Sequence, residues 1–240
     1  MLEFRAYFKK TQTMKVLTEI LNWSSLFGVT HLSEEEFSNK GSSLTLQDKG
    51  IDFVLSQPPQ QYFLHSKFCR YHFFVKNDLD LLYVDNFHEN DLGKMNIFFA
   101  QIANLNPFFG VACDSEEYDH RNRVVKIIGE NKIESWVGRN PLNKLPGLYW
   151  KIMISKQMIE SADLDMPALE ERSQEVHLFG NSMSLLTFFS HPQEWKAHVK
   201  TLDSACLSIK NVFSRQEVLA ETNEIDNVIK YITKMAKWKS

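Results

Sequence analysis

Three tight turn signals constrain this chain more than any other feature. Lys76-Asn77-Asp78, Gly129-Glu130-Asn131 and Gly180-Asn181-Ser182 each separate two short apolar runs rich in β-branched or aromatic residues. A connection that short joins only antiparallel neighbours. The runs are residues 62–75 with 79–84, 124–128 with 132–137, and 176–180 with 183–189. The mostly aromatic 62–75 run reads as a strand or an edge hairpin. Further strands are expected within 42–50, over 51–55 until Pro58-Pro59 breaks the run, over 108–113, and over 148–154 after Pro146-Gly147.

Helical spacing punctuates these strands. Met14, Leu17, Ile20 and Leu21 predict a helix near residues 10–23, and Leu92, Met95, Phe98, Phe99 and Ile102 predict another over 89–105. Residues 156–173 read as a polar helical segment with an acidic face. His191-Pro192 opens a helix holding Trp195, Val199, Leu202, Ala205 and Cys206, and residues 217–238 carry a loose helical pattern with a basic end. Strands and helices alternate irregularly, which favours an α+β fold, a largely antiparallel sheet flanked by helices, over a doubly wound sheet. No repeat or long linker divides residues 1–240, so one domain is expected, with the arrangement of residues 1–60 left open.

Composition limits the partners. A formal charge of −3 and a pI near 6.2 give none of the basic footprint that a nucleic-acid-binding surface needs, whereas a basic protein partner suits this surface. Cys69, Cys113 and Cys206 cannot all pair and read as reduced core thiols of a cytoplasmic protein. The first twenty residues break their apolar runs with charges, so neither a leader nor a membrane span is expected.

The stretch from residue 106 to 150 is densest in chemistry-bearing residues. The apolar run at 108–113 ends in Asp114, Glu116, Glu117, Asp119, His120, Arg121 and Arg123. A buried strand ending in a polar cluster is a common place for function, yet Asp-Ser-Glu-Glu is equally a helix start signal. Motifs for nucleophile elbows, phosphate loops, dinucleotide binding and zinc proteases are absent, and no cofactor is implied. His65, Cys69 and His72 fall on different faces of a strand, which argues against a metal there. One enzymatic pattern survives. Asp114 with Glu130-x-Lys132 has the outline of a metal-dependent nuclease site, although Glu130 falls in an expected turn.

Phe109-Gly110-Val111-Ala112, Glu116-Glu117-Tyr118, Val137-Gly138-Arg139-Asn140, Leu145-Pro146-Gly147-Leu148-Tyr149-Trp150, Pro192-x-x-Trp195 and Val212-Phe213-Ser214 resemble the immunity protein 52 family and its relatives of unknown function, over roughly residues 60–220. The resemblance implies a non-enzymatic α+β protein that binds and neutralises a cognate bacterial toxin. It points to a nuclease effector of restriction-endonuclease fold, delivered by a type VI or contact-dependent secretion route. Two acidic patches are candidates for the toxin-binding surface: Asp114, Glu116, Glu117 and Asp119, and Asp163, Asp165, Glu170 and Glu171. From residue 160 to 175 only Arg172 opposes the acidic side chains. A monomer or small homo-oligomer is expected. The alternatives are the nuclease built on Asp114, Glu130 and Lys132, and a structural subunit of a secretion or defence system.

Overall fold

The computed structural model describes residues 1–24, 26–33, 44–45, 61–76, 78–87, 92–128, 131–136, 142–221 and 230. The organising strand is β1, Leu2–Lys9, whose sequence alternates as strand geometry requires. Leu2, Phe4, Ala6 and Phe8 are buried on one face, while Glu3, Arg5, Tyr7 and Lys9 point to the other. β1 lies between β6 (Leu79–Asp85) and β7 (Phe109–Asp114), with Phe4 opposite Val84 on one side and Ala112 on the other.

From β6 the sheet continues through β5 (Arg70–Phe74), β4 (Gln61–Ser66), β2 (Val29–Ser33) and β3 (Leu44–Thr45). From β7 it continues through β10 (Lys151–Ser155) and β12 (Met183–Thr187) to β11 (Glu175–Phe179) at the far edge. The result is a ten-stranded sheet with antiparallel pairing throughout, the α+β class expected.

Helices cover both faces. On the Phe4 face lie α1 (Thr13–Leu21) and α2 (Leu92–Asn104). The α2 rings of Phe98 and Phe99 meet the Phe4 ring edge-on at 5.4 and 5.7 Å, so the predicted apolar stripe is the packed one. Gly110 of β7 sits under this contact. A Cβ there would lie 3.2 Å from Phe4 Cζ and 3.3 Å from Met153 Cβ, so the close approach needs the missing side chain. On the Arg5 face, α3 (Ser115–Asn122) springs directly from β7, and the Tyr118 ring takes the Arg5 guanidinium at 3.7 Å. The strands β8 (Arg123–Ile128) and β9 (Asn131–Trp136) form a separate two-stranded sheet, as the turn signal predicted.

Three expectations need correction. Residues 62–75 form the β4–β5 hairpin, but it lies inside the sheet, because β2 and β6 pair with its outer sides. The strand expected from residue 148 starts at Lys151; Leu148, Tyr149 and Trp150 are buried without strand geometry. The segment 156–173 is two helices, α4 (Lys156–Ala162) and α5 (Met166–Arg172), because Asp163 adopts a left-handed conformation at φ 48° and ends the first. The strand expected at 51–55, most of 42–50, the Gly138-Arg139-Asn140 stop and most of the 217–238 helix lie outside the described residues. Within the last, Arg215–Glu221 forms α7.

Candidate functional site

The first acidic patch is not a free anionic surface, because its carboxylates are paired and one is buried. Asp114 is the N-cap of α3, one carboxylate oxygen accepting from the Glu116 backbone N–H at 2.9 Å and the other from the Met1 amino group at 2.9 Å. Glu117 is fully buried. One of its oxygens accepts from Arg121 Nε at 3.2 Å, and the other faces the Trp150 backbone N–H at 3.4 Å. Burial pushes its carboxyl up to about 7, with Arg121 pulling the other way.

Cations from α6 (Trp195–Ser208) and from the start of β8 pair with the remainder. Lys196 of α6 meets Glu116 at 2.7 Å, and Arg123 meets Asp119 at 2.9 Å. Arg121 also donates to Asp203 of α6 at 2.9 Å, and His120 approaches the same carboxylate at 3.6 Å. Burial opposes ionisation of Asp203, but nearby His120 and the hydrogen-bonded Arg121 hold it below the usual carboxylate range. The stretch therefore fastens α3 to α6 and to the approach of β10. Sequence reading gave no sign of Asp203, which lies 82 residues from the arginine it pairs with.

The nuclease pattern fares no better geometrically. Both oxygens of Asp114 are engaged in the main sheet, Lys132 belongs to the separate β8–β9 sheet, and Glu130 lies outside the described residues. Among the described residues no group of three or more His, Cys, Asp or Glu could hold a metal ion.

The second patch is built differently. Ser155 caps α4, accepting from the Met158 N–H at 3.1 Å while its hydroxyl donates to the Phe108 carbonyl at 2.8 Å; Asp165 caps α5, accepting from the Ala168 N–H at 3.1 Å. Pro167 in the first turn of α5 suits that start. α5 then runs into β11, and Glu170, Glu171 and Glu175 are all exposed. Lys210 reaches Asp163, and Lys156 stands 3.9 Å from Glu160. Among the described residues no cation pairs with Asp165, Glu170, Glu171 or Glu175.

These carboxylates border an open sheet edge. β11 pairs with β12 along one side, and among the described residues no strand pairs with its other side. Val176 and Leu178 on its Arg5-side face are 37% and 64% exposed, an unusual display for residues that favour burial. The hairpin turn carries Gly180 at φ 58° in open space. Asp163, Asp165, Glu170 and Glu171 are thus exposed along the segment that leads into an apolar, unpaired edge. Sequence reading missed β11 as an edge; the only available signal was the exposure-tolerant Glu-Val-His-Leu alternation after an acidic helix.

No family model, curated protein or solved structure matches the chain. Among the described residues no helix is long and apolar enough to cross a membrane.

Proposed function

We propose that this chain is an immunity protein that neutralises a cognate toxin by stoichiometric binding, and that the toxin docks on the β11 edge. The observation that carries the reading is the juxtaposition of an unpaired edge strand with uncompensated carboxylates at Asp165, Glu170, Glu171 and Glu175. An edge strand offers backbone hydrogen bonds to an extended segment, and exposed Val176 and Leu178 offer apolar contacts. The carboxylates select a basic partner and speed its capture. A nuclease presents a basic surface because it must hold a phosphate backbone, so it fits the charge. The resemblance to immunity protein 52 supports the same partner class, a secreted nuclease effector of restriction-endonuclease fold.

The test is co-purification and calorimetry with the toxin encoded beside this chain, followed by two variants. Glu170→Lys with Glu171→Lys should slow association and weaken its salt dependence. Leu178→Lys should speed dissociation while leaving stability within about 0.5 kcal/mol, as for other surface changes. A toxin that binds both variants like the parent protein overturns the docking face. A pure protein that turns over a nucleic acid with Mg²⁺, and loses that activity in Asp114→Ala, overturns the binding function itself.

A further inference from the structure

A cavity of about 350 Å³ lies on the Phe4 face of the sheet, between α2 and the β10–β12–β11 end. Ile97 lines it from α2, Phe179 and Leu185 line it from β11 and β12, and Lys151 and Thr187 are also in its wall. Its size falls at the lower end of small-molecule sites, and its lining combines apolar walls with a few polar groups, as such sites do.

Lys151 is the anomaly. It is 8% exposed, and its stem runs between aromatic rings, with Nζ 5.2 Å from the Trp150 ring centroid and 5.8 Å from that of Phe99. The ammonium donates one hydrogen bond, to Thr187 Oγ1 at 2.7 Å. It has three N–H donors, and among the described residues no carboxylate pairs with it. A buried charge without a counter-ion is costly, and proteins seldom retain one. Burial accordingly lowers the Lys151 pKa, with exposed Glu175 at the cavity wall opposing.

We propose that this cavity binds the carboxylate of a small acid with an apolar body, held by Lys151 and Thr187 while the body lies against Ile97, Phe179 and Leu185. The carboxylate completes the hydrogen bonding of the ammonium and removes its uncompensated charge. The apolar walls exclude water and strengthen the pair. Glu175 repels a simple carboxylate and attracts a ligand that also carries an ammonium, so the side chain sorts simple acids from amino acids. This site opens on the opposite face of β11 from Val176 and Leu178, and shares only Glu175 with the docking edge.

The test is calorimetry on the full chain at neutral pH with hexanoate, benzoate and leucine, each against its primary amide, leucinamide keeping its ammonium. Carboxylates should bind, and amides should bind at least about 30-fold more weakly, as for loss of one partner of a buried charge pair. Lys151→Met keeps the stem and should cost the same factor. Glu175→Gln should tighten hexanoate about two- to five-fold, as for removal of an exposed charge, and weaken leucine. If Lys151→Met does not fold, Thr187→Val serves in its place and should weaken all three acids. The proposal is overturned if no acid binds, if amides bind as well as acids, or if the folded variant keeps the parent affinity.

Discussion

Glu117→Gln deletes one side of a buried ion pair, yet it should stabilise this protein above neutral pH. The ordinary carboxyl value is 4.5, and burial pushes the folded-state value up to about 7 in spite of Arg121. Between those values the folded chain holds a proton that the unfolded chain has released, so stability falls as pH rises. At about 1.4 kcal/mol per pH unit across that gap, about 3 kcal/mol is lost by the time Glu117 is ionised. Below pH 4.5 both states are protonated, and Glu117 contributes no slope. Glutamine matches the protonated acid in shape, keeps an oxygen for Arg121 while turning its NH2 toward the Trp150 N–H, and does not titrate. Arg121 retains Asp203 as its carboxylate. The assay is urea unfolding of parent and variant from about pH 4.5 to about pH 8.5, read as the difference between the two curves. Across that range the difference should shift by about 3 kcal/mol in favour of the variant, on top of a constant offset from the Trp150 N–H that loses its acceptor. A difference that stays constant with pH refutes the reasoning. So does one that grows against the variant, since Arg121 would then be holding Glu117 ionised.

Gly110→Ala should cost about 1–3 kcal/mol in urea unfolding, because the new methyl meets Phe4 and Met153 and the Phe4 ring is fixed by Phe98 and Phe99. Asp85 is partly desolvated, but His72 and a two-pronged contact from Arg70 at 2.7 and 2.9 Å hold its carboxyl at about 2. Its depressed value makes its contribution present above 3.8 and lost as pH falls through about 2, so Asp85→Asn should flatten the acid limb of the stability curve. Lys151→Met should raise the melting temperature of the ligand-free protein. Since the folded-state value of Lys151 is lowered, the parent gains stability as pH rises towards the ordinary value of 10.5, and the variant should lack that rise.

The hairpins were legible because their signals are local. Gly180-Asn181-Ser182 and Gly129-Glu130-Asn131 each join strands that are neighbours in sequence, and β11–β12 and β8–β9 pair as expected. The α2 stripe was legible for the same reason: Met95, Phe98, Phe99 and Ile102 recur on one face and are all buried. Failures arose where distant chain decides the outcome. The aromatic 62–75 run looks like an edge, but burial on both faces belongs to an interior hairpin held by β2 and β6. Nothing near Leu2–Lys9 announces that β1 joins the two halves of the sheet, because its partners lie more than 70 residues away in β6 and beyond in β7. The break at Asp163 was hidden because aspartate tolerates the left-handed conformation without the glycine that usually marks it.

The same divide between local and distant explains the two acidic stretches. Counting charges along the chain makes 114–119 and 163–171 look alike. In three dimensions the cations that neutralise the first come from the Met1 amino group, Arg121 of α3 itself, Lys196 of α6 and Arg123 at the start of β8, whereas those near the second reach only Glu160 and Asp163. What survives is charge beside an open edge, and an open edge has two possible occupants: a partner's strand or the β11 of a second copy. Antiparallel pairing of two copies of β11 would set Glu175 of each chain opposite Phe179 of the other and add a second acidic edge to the first, so the charges that attract a basic toxin also oppose self-pairing at long range. Salt should therefore act in opposite directions. Raising it from about 50 mM to about 500 mM shortens the screening length from roughly 14 Å to roughly 4 Å, which should slow toxin capture while promoting self-association in sedimentation velocity. If both fall together, or neither responds, the carboxylates beside β11 do not govern what pairs with it.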